Sequence, residues 1–83
     1  MVTKEIVIGN FSKMDASPAA MLVQLASRFE SSIHVDQAEK RTNAKSIMGV
    51  MILKFAEGEK VTVTAEGTDE ETALAEIQKF LES

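Results

Sequence analysis

Two serines, an aspartate and a histidine carry most of the chemistry open to this chain. Ser46 heads the run Ser46-Ile47-Met48-Gly49-Val50-Met51. A hydroxyl in front of an apolar helical run accepts a backbone N–H as an N-cap. The same hydroxyl can carry a phosphoryl group, because a helix N-terminus stabilises the added negative charge. Asp15 lies in Met14-Asp15-Ala16-Ser17-Pro18-Ala19. Proline favours the first turn of a helix, so Asp15 and Ser17 stand where a helix begins. A carboxylate there contributes about 0.3–1 kcal/mol and can accept backbone N–H bonds. A carboxylate is also a nucleophile that can form an acyl phosphate. That chemistry commonly draws on a metal held by further acids, and no acid cluster flanks Asp15. His34 is the only histidine. One imidazole makes no metal site by itself, and neither a metal nor another cofactor is expected. The absence of cysteine removes disulfides and thiolate chemistry.

These residues need a frame. Residues 2 to 8 are mostly β-branched and predict a strand, ended by Gly9 and Asn10. After a loop through Phe11 to Met14, a helix starts at Pro18. Its apolar residues Leu22, Val23, Ala26 and Phe29 recur at helical spacing. Met21 falls off that core face and Ala20 lies at its side. Ser31-Ser32 break the helix. Ile33-His34-Val35-Asp36 alternates as a half-buried strand does, so His34 reads as a solvated strand residue. Gln37 to Glu39 predicts a turn and Lys40 to Asn43 a short polar return strand. Ser46 caps a short helix expected to run to about Leu53. Glu57-Gly58-Glu59 predicts a turn, and Val61, Val63 and Ala65 the inner face of a last strand. Thr68 with Glu71 fits a capping box for a final helix, with Ala73, Leu74, Ile77, Phe80 and Leu81 as its buried stripe. The order β-α-β-β-α-β-α predicts an α+β open-faced sandwich, a four-stranded antiparallel sheet covered on one face by three helices.

Size and charge narrow the function. With 83 residues, the chain is one domain, 1–83, near the lower end of what folds alone. It can build one core layer and little enclosed space. No apolar run approaches the roughly 20 residues that span a bilayer, and the first residues lack a signal core. A cytoplasmic protein that does not engage membranes is expected. The net charge is −4, from 13 acidic and nine basic residues. That argues against nucleic acid as a partner, where affinity comes from neutralising phosphates. The second helix is nearly all apolar, so some of Ile47, Met48 and Met51 must pack inward. The others are candidates for an exposed docking patch, a use that suits methionine, and Met14, Ala20 and Met21 extend it from the first helix.

The segment Asn43-Ala44-Lys45-Ser46-Ile47-Met48-Gly49-Val50-Met51 closely resembles the regulatory-serine segment of the HPr family, small phosphocarriers of the sugar phosphotransferase system. The order of elements is similar over almost the whole chain. The family's second signature normally reads aliphatic, histidine, alanine, arginine, proline, alanine. Ala16, Pro18 and Ala19 match it, while Asp15 stands at the histidine and Ser17 at the arginine. In the family that histidine accepts phosphate from enzyme I and passes it to sugar-transporter subunits. The resemblance implies that Ser46 is phosphorylated by HPr kinase/phosphorylase. It also implies that Met14, Asp15, Ser17, Ala20, Met21, Ile47, Met48 and Met51 form the face that docks on protein partners.

Three readings follow from that resemblance. The first is a non-catalytic regulatory member acting in carbon catabolite repression. Its partners would be a catabolite control transcription factor or other proteins of the phosphotransferase system. Such members also lack the histidine and keep the serine, although Ser17 departs from their arginine. The second is a phosphocarrier that relays phosphate through an Asp15 acyl phosphate. The third is a domain that docks without being modified. Asp15 itself is open to a helix-capping role or to imitating the charge of a phosphohistidine.

Overall fold

A computed structural model describes residues 1–9 and 17–82. The strands are β1 (Val2–Val7), β2 (Ser32–Gln37), β3 (Lys40–Asn43) and β4 (Lys60–Glu66). The helices are α1 (Pro18–Ala26), α2 (Ile47–Val50) and α3 (Glu70–Leu81). All four strands form one antiparallel sheet in the order β1-β4-β2-β3. Period-two alternation sets its faces. Ile33 and Val35 of β2, Val61, Val63 and Ala65 of β4 and Ile6 of β1 point inward and are buried. Against them pack Leu22 and Ala26 of α1, Val50 of α2, and Ala73, Ile77 and Leu81 of α3. Each fully buried leucine or isoleucine contributes about 1.5–3 kcal/mol. The opposite sheet face is open. His34 lies on it, half-buried between its cross-strand partners Thr64 and Asn43.

Local details depart from the sequence expectations for definable reasons. Helix α1 ends at Ala26 rather than reaching Phe29. Arg28 N–H bonds Leu25 O and Phe29 N–H bonds Ala26 O, so the chain tightens before β2. Gln37 belongs to β2, leaving Ala38 and Glu39 as a two-residue turn with φ of 50° and 71°. That turn carries neither glycine nor asparagine, at a cost of roughly 1 kcal/mol or more per residue. Thr42 of the polar strand β3 is buried opposite Val35, and its hydroxyl finds no hydrogen-bond partner among the described residues. Regular α-helix in α2 stops at Val50. Tight turns continue to Leu53, with Ile52 N–H on Gly49 O and Leu53 N–H on Val50 O.

The capping box assigned to Thr68 and Glu71 lies elsewhere. The N-cap of α3 is Asp69, and its carboxylate does not cap the helix. It accepts the N–H groups of Glu30 and Ser31, each at 3.0 Å, and the Ser31 hydroxyl. Glu70 instead accepts Gly67 N–H at 3.1 Å. Thr68 donates its hydroxyl to Glu30. Long-range donors outcompeted the local cap because Ser31, leaving α1, comes directly against Gly67.

The Ser31 hydroxyl, then the Glu30 N–H, hold the Asp69 carboxyl below its ordinary range. A depressed folded-state pKa means that the ionised form stabilises the fold. That stabilisation is complete above the unfolded value of about 3.9 and disappears as pH falls through the folded one. Asp69→Asn is therefore expected to unfold at lower temperature than the unaltered chain at pH 7. The gap should close as the pH is taken below about 4. Thermal melts of both proteins across that range check it.

Candidate functional site

The site begins at two helix starts. Ser17 is exposed and extended, with φ −62° and ψ 125°, and its Oγ accepts Ala20 N–H at 3.5 Å. Pro18 follows as the first helical residue, where its missing N–H costs nothing. Ser46 repeats the arrangement. It is exposed, with φ −104° and ψ 113°, and its Oγ accepts Gly49 N–H at 3.4 Å. Both capping bonds are long, so each hydroxyl is held loosely and remains accessible.

The turn before Ser46 is built tightly. Asn43 Oδ1 accepts Lys45 N–H at 2.9 Å, and Asn43 O accepts Ser46 N–H at 3.0 Å. Lys45 Nζ donates to Phe29 O at 2.7 Å and so ties this turn to the end of α1. A Cβ on Gly49 would lie 3.0 Å from Thr42 Cγ2. Glycine therefore lets α2 sit close on β3.

Helix α2 turns few apolar side chains inward. Val50 and Leu53 are buried, but Met48 is 80% exposed, Met51 69%, Ile52 58% and Ile47 44%. In α1, Ala20 and Met21 are half-buried. Helices α1 and α2 pack together. Met14 and Asp15 lie outside the described residues. Ile52 was not singled out from the sequence. Its signal was available, since fixing Val50 and Leu53 inward leaves positions 51 and 52 pointing out.

Charge is distributed unevenly around this face. No acidic residue occurs between positions 16 and 29 or between 40 and 56. Lys45 and Lys54 are the charged residues nearest in sequence to the exposed apolar side chains of α2, in a chain of net charge −4. The opposite charge collects at the head of α3, where a shallow depression is lined by Gly67, Thr68, Asp69, Glu70, Glu71 and Thr72. Asp69 and Glu70 already serve backbone there. Glu70 also pairs with the N-terminal ammonium at 2.9 Å. Gly67 N–H and then that ammonium draw the Glu70 carboxyl down. Lys40 and Arg41 are exposed, and Arg41 pairs with Asp36 at 3.2 Å, a surface contact worth little. Among the described residues no cluster of His, Asp or Glu is arranged to hold a metal, and no helix is long and apolar enough to cross a membrane.

The arrangement offers an accessible hydroxyl at the head of an exposed apolar patch flanked in sequence by Lys45 and Lys54. It can receive an anion there and present methionines to another protein.

Known proteins resemble this chain over its full length. A family model described as "PTS HPr component phosphorylation site" matches residues 2–83. The HPr-like protein Crh of Halalkalibacterium halodurans is 40% identical over 82 residues, spanning 99% of this chain and 98% of its own. The phosphocarrier protein HPr of Treponema pallidum is 41% identical over 83 residues, spanning 100% and 94%. The crystal structure of a phosphocarrier protein HPr from Bacillus anthracis superposes with a TM-score of 0.88 at 38% identity, covering 98% and 96%. The HPr-like protein Crh and a phosphocarrier protein HPr thus stand at nearly equal identity, so the choice between them falls to individual residues.

Proposed function

The chain belongs to the HPr family, and from that premise we propose that it is a regulatory rather than a phosphotransferring member. It is phosphorylated on Ser46 by HPr kinase/phosphorylase in the cytoplasm and works by binding proteins. The supporting observation is Ser46 itself, exposed at the head of an exposed apolar helix, in a chain whose residue 15 is aspartate. A phosphate on Ser46 brings nearly two negative charges and three acceptor oxygens. It would stand beside Lys45, at a helix start whose first N–H groups lack intrahelical partners. No refolding is needed, because Ser46 is already in solvent. The modified face then displays a phosphate next to Met48, Met51 and Ile52.

A partner that reads this form must offer an apolar centre and an arginine or lysine for the phosphate. A catabolite control transcription factor and proteins of the phosphotransferase system are the proposed partners. Docking uses Ser17, Ala20, Met21, Ile47, Met48 and Met51, with Ile52 added from the structure and Met14 and Asp15 from the sequence. The protein catalyses nothing itself.

Two incubations test this reading. With HPr kinase/phosphorylase and ATP, the chain is expected to take an acid-stable phosphate, and Ser46→Ala to take none. The variant stays folded. Loss of an N-cap costs about 0.5–2 kcal/mol, and the 3.4 Å bond to Gly49 places Ser46 at the low end. With enzyme I and phosphoenolpyruvate, no label is expected. An alkali-labile phosphate that disappears in Asp15→Ala would establish relay through Asp15 and defeat the proposal.

A further inference from the structure

A helix of four residues cannot hold an exposed face in place by itself. The N-terminal side of α2 is tied down by the Asn43 turn and by its close seat on Thr42. The C-terminal side is different. Met51 to Lys54 has left regular helix yet carries two of the exposed apolar side chains, Met51 and Ile52. Leu53 anchors it from below. The other anchor comes from a distant element.

Gln37 Nε2 donates to Lys54 O at 2.9 Å, and Gln37 Oε1 accepts Lys54 N–H at 2.8 Å. One side chain thereby satisfies both backbone groups of one residue, as a neighbouring strand does. The orientation of the amide is fixed, since Lys54 N–H can only donate and Lys54 O can only accept. Gln37 is the last residue of β2 and immediately precedes the positive-φ turn at Ala38-Glu39. The end of the sheet thus holds the far end of the patch.

We propose that Gln37 is a positioning residue for the Met51–Ile52 half of the docking surface. The β2–β3 hairpin, although not part of the patch, sets how well the patch fits a partner. The inference rests on the docking face proposed above. Its chemistry predicts an order among variants. Glutamate keeps the acceptor for Lys54 N–H, loses the donor and sets a negative charge against Lys54 O. Asparagine is one methylene too short to reach, and alanine keeps neither bond.

The test compares the full chain with Gln37→Glu, Gln37→Asn and Gln37→Ala. Amide hydrogen exchange at Ile52, Leu53 and Lys54 is expected to rise about fivefold to tenfold in Gln37→Ala, the factor of one net hydrogen bond. Exchange at Val35 and Val63 should not change. For phosphorylation of Ser46 by HPr kinase/phosphorylase, KM should rise by a similar factor with kcat unaltered, and Gln37→Glu should fall between. Unchanged exchange at Ile52 to Lys54 overturns the proposal. So does a loosened segment with unchanged KM, or a loss of protection that extends to Val35 and Val63. If the unaltered chain is no substrate of the kinase, the proposed function fails on that result alone, and the exchange measurement still decides whether Gln37 positions this segment.

Discussion

Asp15→His combined with Ser17→Arg is expected to create a protein that takes phosphate from enzyme I and phosphoenolpyruvate, where the unaltered chain takes none. The reason is the nucleophile. A neutral imidazole nitrogen attacks phosphorus readily and leaves a phosphohistidine. A carboxylate gives an acyl phosphate, whose extra charge needs cations that this motif does not bring. Histidine alone should label slowly. The arginine then supplies charge-assisted hydrogen bonds to the transferring group, worth roughly 10²–10³ in rate where such a donor is preorganised. Its cost is small, since Ser17 caps α1 only through a 3.5 Å bond to Ala20. The label should be acid-labile, unlike one on Ser46. Rates for the single and double variants with enzyme I check both steps. A double variant that stays unlabelled would show that position 15 is not a degenerate acceptor site.

Much of this architecture was legible because its signals are periodic. Ile33, Val35, Val61, Val63 and Ala65 alternate, and each is buried. Ala73, Ile77 and Leu81 recur at helical spacing along α3 and are also buried. Long-range competition for hydrogen bonds was not legible. Thr68 and Glu71 have the right types for a capping box, but Asp69 is claimed by Ser31, and Glu70 by Gly67. The same holds for Gln37. It reads as a turn residue until Lys54 is found beside it. Thr42 belongs to a strand that reads as polar, and only the placement of α2 above it shows its burial.

The site divides along the same line. Ser46 and its flanking segment were readable, because a capping hydroxyl before an apolar run has a local signature. The choice between core and surface for that run was not. Helical spacing leaves two faces for Ile47, Met48, Val50, Met51 and Ile52, and the sheet takes Val50. The remaining four are exposed in a segment that carries basic residues and no acid. An apolar patch of this kind on a small domain is more than scattered surface residues. It is the feature on which the proposed docking use of the face rests.

Gly67→Ala is expected to produce a large loss of stability, although the residue is exposed. Its added Cβ would lie 2.6 Å from both Cα and Oγ of Ser31 and 3.0 Å from Ser31 Cβ. Two of those atoms could move only with the backbone or the side-chain root. Ser31 is 1% exposed, and its N–H and hydroxyl are both bound to Asp69. Relief of the clash would therefore break the latch between the end of α1 and the head of α3. The residue also holds φ at +154°. Overpacking costs about 1–3 kcal/mol and backbone strain about 1–3 kcal/mol more. At about 4–8 °C per kcal/mol for a domain of this size, the midpoint of thermal unfolding should fall by about 8–48 °C. Gly58 separates the two causes. Its φ is +90°, but nothing lies within 4 Å of a Cβ built there. Gly58→Ala therefore bears backbone strain alone and should cost roughly 1–2 kcal/mol. If the two variants melt alike, the contact with Ser31 is not what demands glycine at position 67.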